Sequence, residues 1–117
     1  MNGRSPVSAG DLVVILFPFT DLSARSLRPA LVVARLSGPD VIVAFVTTSL
    51  QTINPLTAHV LRPGDNEFET TGLKLPSAVR LDRLATLHRN LVQRRLGHIG
   101  ANTERSVGNC LRYVFGL

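Results

Sequence analysis

Residues 10–34 read GDLVVILFPFTDLSARSLRPALVVA, and the reading of this stretch decides the fold. Two apolar runs, 12–17 and 30–34, flank a polar segment closed by Arg28-Pro29. Each run is too short for an ordinary helix and is rich in Val, Ile and Phe, so each is expected as a strand. Between them Pro18, Thr20, Asp21 and Ser23 are turn formers that break the apolar pattern. The stretch is therefore expected as a hairpin whose loop carries Arg25 and Arg28, and the chemistry is expected at that loop.

Outward from the hairpin, Ser37-Gly38-Pro39-Asp40 is a strong turn signal. Residues 41–48 (VIVAFVTT) are the most β-prone of the chain and are expected as a buried central strand. That strand runs out in three hydroxyls, Thr47, Thr48 and Ser49. Residues 57–61 (TAHVL) suggest a shorter strand. Residues 62–76 form the longest irregular stretch, of a length that is often functional in a compact domain. Residues 78–87 (AVRLDRLATL) alternate apolar and polar and read as a strand broken near Arg83; 91–99 hold one more short strand.

The one clear helix spans 102–116. Val107, Cys110, Leu111, Val114 and Phe115 fall on one apolar face at helical spacing. Asn102 or Thr103 is expected as the N-cap, Glu104 complements the helix dipole, and Gly116 ends the helix. Cys110, on the apolar face, is expected as a buried small hydrophobe. The sum is a mainly β domain of antiparallel strands with a C-terminal α-helix. Hairpin-connected strands of this number commonly curl into a small β-barrel, SH3-like or OB-like. One domain is expected over residues 1–117, with 1–9 a loose lead-in. The apolar runs are long enough to suggest that a second copy covers part of them.

Composition narrows the functional classes. The first nine residues lack the apolar core of a signal peptide, and no apolar run is long enough to span a bilayer. A soluble, cytoplasmic protein with no membrane association is expected. The single cysteine excludes an intrachain disulfide and a multi-cysteine zinc site. A formal charge of +5 favours an anionic partner such as nucleic acid. Lys74 is the only lysine, so the basic surface is built from arginine, which suits bidentate phosphate contacts.

No phosphate-binding loop, metal-protease motif or serine-hydrolase elbow is present, and no cofactor is expected. His59, His88 and His98 lie in separate segments, and no residue group has metal-ligand spacing. What remains is arginine, threonine and one embedded carboxylate. Arg80 and Asp82 stand two apart on a strand, so their side chains share a face. They read either as a surface ion pair or as a base beside a phosphate-binding cation, with Asp82 held ionised by Arg80 and Arg83.

These residues carry a family resemblance. Gly10-Asp11-Leu12-Val13, Phe17-Pro18 and Arg28-Pro29-Ala30-Leu31-Val32-Val33 resemble the opening hairpin of the MazF/PemK (Kid) toxins. The match continues through Phe45-Val46-Thr47, Thr70-Thr71-Gly72, Ser77-Ala78-Val79-Arg80-Leu81-Asp82 and Leu84-Ala85-Thr86-Leu87 to the terminal helix. The resemblance implies a MazF/CcdB-like barrel working as a homodimer. It implies a type II toxin that cleaves single-stranded RNA at a short sequence without metal, held in check by an antitoxin with an acidic disordered segment. It also implies site residues: Arg28 and Thr47 (or Thr48) from the MazF branch, and Arg80 and Asp82 from the Kid branch. Asp21-Leu22-Ser23-Ala24 departs from the common loop pattern, and the Kid-branch histidine is absent.

Cleavage without metal uses the substrate's 2′-hydroxyl as nucleophile, so the protein must help remove its proton and stabilise a dianionic phosphorane. Arg28 suits the second task and Thr47 can hold the same phosphate. Asp82 is the preferred base, with an arginine as the other option. Thr20, Arg25, Thr48, Ser49 and Arg83 are expected to bind the RNA, and Arg89, Arg94 and Arg95 are further backbone candidates. The alternatives are an inactive nucleic-acid or antitoxin-binding module of the same fold, and a barrel toxin that poisons DNA gyrase.

Overall fold

The computed structural model describes residues 7–17 and 26–117. Six strands form one antiparallel sheet: β1 (Asp11–Phe17), β2 (Ser26–Arg35), β3 (Asp40–Thr47), β4 (Ala58–Leu61), β5 (Ser77–His88) and β6 (Val92–His98). Helix α1 (Ala101–Phe115) follows. Each strand falls on a run that the apolar pattern marks. The loop between β1 and β2, with Thr20, Arg25 and the divergent residues 21–24, lies outside the described residues, as does most of the 1–9 lead-in.

The spatial order is β4-β5-β3-β2-β1-β6, and the two edge strands do not pair. The sheet is thus open, where a closed barrel is expected from the sequence. A single 3-10 turn, Glu69–Thr71, lies against β6 and α1 lies against β4. Gly97 in β6 is pressed onto that turn: a Cβ there would sit 2.7 Å from the Thr71 carbonyl carbon and closer still to the Thr70 carbonyl oxygen.

Both faces of the sheet are buried within the chain. Leu12 and Val13 are neighbours on β1 with opposite facing, and each is fully buried. Leu12, Leu31, Val79 and Leu81 meet Val107 and Cys110 of α1 on one face; Val13, Ile15, Val32 and Val43 meet Leu87 and Val92 on the other. Burying one such side chain contributes about 1.5–3 kcal/mol. The continuous apolar runs of β1 and β3 are therefore accounted for by two cores inside one chain.

Helix α1 starts one residue before the expected 102, and neither Asn102 nor Thr103 caps it with its side chain. Gly100 is the N-cap residue and provides no side chain. The cap comes from Glu67, whose carboxylate accepts the backbone N–H of Asn102 (3.0 Å) and of Thr103 (2.9 Å). These hydrogen bonds, those to the backbone first, hold the Glu67 carboxyl below its ordinary range. The cap ties the long 62–76 segment to the helix start, and Gly100 leaves room for it. Of the expected apolar face, Val107 and Cys110 are buried, Leu111 and Val114 pack against the core, and Phe115 is exposed.

β5 is one strand rather than a broken pair. Its register on β3 jumps from Ala44–Leu84 to Phe45–Arg80, so Leu81, Asp82 and Arg83 bulge out of the ladder. Leu81 anchors the bulge: it is fully buried, and its N–H donates to the Thr57 carbonyl at 2.9 Å. The interruption expected near Arg83 is this bulge.

Candidate functional site

The register assembles the site. Ala30 pairs with Phe45, and Phe45 pairs with Arg80, which pairs in turn with Ala58. Directly opposed residues share a face, so Ala30, Phe45 and Arg80 form one row across three strands. Thr47 pairs with Ala78. Arg28 stands two residues before Ala30 on β2 and Thr47 two residues after Phe45 on β3, so strand alternation sets both on the face of that row. Thr47 and Arg80 stand on neighbouring strands one row apart, and Arg28 shares their face from β2, on the other side of β3.

Each side chain is held differently. The Arg28 guanidinium lies over the Phe17 ring, 5.7 Å from its centroid, and Phe17 meets Phe45 edge-to-face at 5.0 Å and 75°. The Thr47 Oγ1 accepts the Ser49 backbone N–H at 3.0 Å. With that oxygen accepting from the backbone, the hydroxyl proton remains to be donated. Arg80 donates to both carboxylate oxygens of Asp82, from Nε at 3.1 Å and Nη2 at 2.8 Å. This bidentate bond, ahead of the charges of Arg80 and Arg83, holds the Asp82 carboxyl below its ordinary value of 3.8. It raises Arg80 by the same contact. About a third of each side chain remains exposed.

The other expected contact residues separate from this cluster to different degrees. Thr48 lies past the end of β3 and lines an open depression of about 450 Å³ with Leu50, Gln51, Leu75 and Pro76. Of the two threonines, Thr47 is the one that faces with Arg28. Ser49 is exposed and serves Thr47 through its backbone. Arg83 is exposed on the bulge beside Asp82. Arg95 is engaged elsewhere: its Nε bonds the buried Asp11 carboxylate at 3.1 Å. Arg94 and Arg95 lie on β6, at the sheet edge beyond β1 and away from β5.

Two aromatic residues of the site, Phe17 and Phe45, carry no role in the sequence reading. Strand alternation was the available signal, since it sets both on the face of Arg28. His59 on β4 is half-buried, and burial lowers its pKa against the pull of Asp65 and Glu67. It pairs with Val79, out of register with Arg80. Burial pushes the Cys110 thiol up, as suits a buried hydrophobe. Among the described residues no three His, Cys, Asp or Glu side chains cluster to hold a metal ion. No helix among them is long and apolar enough to cross a membrane.

Residues 8–115 match the family model of the PemK-like, MazF-like toxins of type II toxin–antitoxin systems. No curated protein sequence matches. Among solved structures, the chain is similar to the toxin MazF-mt6 of Mycobacterium tuberculosis, with 21% identity and a TM-score of 0.72 over 92% of this chain and 97% of that one. It is similar to a mycobacterial endoribonuclease solved with its cognate antitoxin (21%, TM-score 0.71, 97% of each chain). It is likewise similar to a MazE–MazF structure from Deinococcus radiodurans (21%, TM-score 0.72, 97% of this chain and 99% of that one). At such identity the structural likeness establishes the fold.

Proposed function

The chain belongs to the PemK-like, MazF-like toxins of type II toxin–antitoxin systems, and on that premise we propose that it is an endoribonuclease cutting single-stranded RNA through the substrate's own 2′-hydroxyl. The observation that carries this reading is the shared sheet face on which Arg28, Thr47 and Arg80 stand, with Asp82 fixed to Arg80 by a bidentate bond. The relatives described as endoribonucleases support the activity.

In this mechanism Arg28 donates two parallel N–H bonds to the non-bridging oxygens of the scissile phosphate. The Thr47 hydroxyl donates to the same phosphate and holds it in line. Asp82 takes the 2′-hydroxyl proton as the 2′-oxygen attacks phosphorus, and Arg28 and Arg80 stabilise the dianionic phosphorane. The P–O5′ bond then breaks, and the leaving oxygen takes a proton from water against the Arg80 N–H groups. The products are a 2′,3′-cyclic phosphate and a 5′-hydroxyl. No step calls on a metal ion or a cofactor. Thr48, Ser49 and Arg83 border the site and contact the flanking RNA, joined by Thr20 and Arg25 of the hairpin loop.

Residues 1–117 act as one toxin domain, in the cytoplasm and as a homodimer. The partner is an antitoxin whose acidic disordered segment competes with RNA for the basic face, as suits a chain of formal charge +5. The mycobacterial relative solved with its cognate antitoxin supports this partner class. The deciding experiment incubates the purified protein with a long single-stranded RNA in EDTA. Cleavage to cyclic-phosphate ends is expected, and an oligomer with 2′-deoxy at the cut position should stay whole. Cutting of the deoxy oligomer refutes the mechanism, and intact RNA refutes the activity.

A further inference from the structure

The catalytic constellation contains two arginines held by different means. Arg80 has two of its donor nitrogens bound by Asp82. Among the described residues Arg28 has no carboxylate partner; what it touches is the face of Phe17. A guanidinium over an aromatic ring is attracted by the ring quadrupole, while its N–H donors point outward in the guanidinium plane and stay available. A carboxylate would hold the same cation by occupying the donors that phosphate needs.

Phe17 is itself fixed. It ends β1 opposite Ser26, and its ring meets Phe45 of β3 edge-to-face across the intervening β2. Phe45 pairs on that side with Ala30 of β2. Phe45 is paired on its other side with Arg80. The two rings thus link the strand carrying Arg28 to the strand carrying Arg80 and Asp82.

We propose that Phe17, braced by Phe45, is a positioning residue that holds the Arg28 guanidinium flat with its phosphate-binding edge free. This rests on the ribonuclease reading for its catalytic consequence and on the geometry alone for the stacking. Cation–π contacts at exposed sites contribute about 0.5–1 kcal/mol, which corresponds to a two- to five-fold change in rate.

The test compares Phe17→Leu, which keeps an apolar side chain and removes the ring, with Phe17→Tyr, which keeps the ring. Steady-state cleavage of a short RNA gives kcat and KM, and NMR of the arginine side chains reports the stacking directly. For Phe17→Leu, kcat should fall two- to five-fold at unchanged KM, and Phe17→Tyr should restore it. The Arg28 side-chain protons should be shifted upfield by ring current in the wild type and lose that shift in Phe17→Leu alone. Phe45→Leu, which removes the brace, should weaken both signals in the same direction. An unchanged kcat, equal loss in the Leu and Tyr variants, or a rise confined to KM would each overturn the proposal, the last by making Phe17 an RNA contact. If the wild type cuts no RNA, the ribonuclease reading fails and the Arg28 shifts still decide whether the ring holds the guanidinium.

Discussion

Replacing Asp82 by Asn separates the two roles open to this carboxylate. The side chain accepts two hydrogen bonds from Arg80, at 3.1 and 2.8 Å, and stays about one-third exposed. An ion pair so exposed contributes about 0–1 kcal/mol to stability after screening by water. Asn is isosteric and retains one acceptor, so the melting temperature should barely move. The pH dependence has a definite sign. The Asp82 carboxyl titrates below 3.8 in the fold, so its stabilising contribution is complete above that value and is lost as the pH falls through the lower folded value. An assay at neutral pH therefore compares a fully ionised carboxylate with a neutral amide.

If Asp82 removes the 2′-hydroxyl proton, Asp82→Asn should lower kcat by about 10²–10⁴-fold, the ordinary contribution of a general base. That is about 2.7–5.4 kcal/mol at the barrier, several times the stability at stake. The assay is single-turnover cleavage of a fluorogenic RNA oligomer alongside a thermal melt. If instead Asp82 only neutralises Arg80, the amide frees an arginine for phosphate, and KM falls while kcat stays within about threefold of wild type. That result would remove Asp82 from the proton-transfer role. The pH profile offers a second check. With its base already ionised, kcat should show no acid limb down to about pH 4, and a limb near the usual histidine value of about 6.5 would point to a histidine instead.

Arg28→Ala should lower cleavage by about a hundredfold or more without loss of the fold, as read by circular dichroism, and Arg28→Lys should restore little, because a lysine lacks the planar fork. Gly97→Ala should destabilise the protein by about 1–3 kcal/mol in denaturant titration, since its Cβ would meet backbone of the Glu69–Thr71 turn that has nowhere to move. Glu67→Gln should lower the melting temperature and flatten its acid dependence. Glu67 titrates below its ordinary 4.5 in the fold, so the wild-type cap is intact above that value and fails as the pH falls through the lower folded value.

Local pattern carried much of this protein. Two-residue alternation, turn formers and one helical face are short-range properties, and they set β1 to β6 and α1 within a few residues of their observed bounds. Strands β1 and β2 pair as their apolar runs require, with Leu12 facing Leu31 and Val13 facing Ala30. Arg28, Thr47, Arg80 and Asp82 were nameable because residue types and the family resemblance single them out.

Their relation to one another was not nameable, because it depends on which strands become neighbours and in what register. The spacing of Arg80 and Asp82 on one strand already placed them on a common face, but only the order β5-β3-β2 sets Arg80 beside Thr47 on the face that also carries Arg28, and the bulge at Leu81 to Arg83 was not foreseeable. That Thr47 ends β3 paired with Ala78, while Thr48 lies beyond the strand, likewise follows from the register. The helix cap shows the same limit: local rules favour Asn102 or Thr103, yet Glu67, 35 residues away, takes the exposed N–H groups. That β4 and β6 do not pair to close the sheet is likewise a property of the whole assembly and not of any one segment. Sequence determines what each segment prefers, and long-range packing decides which segments meet, because a side chain's partner across the sheet is set by competition among all the strands at once.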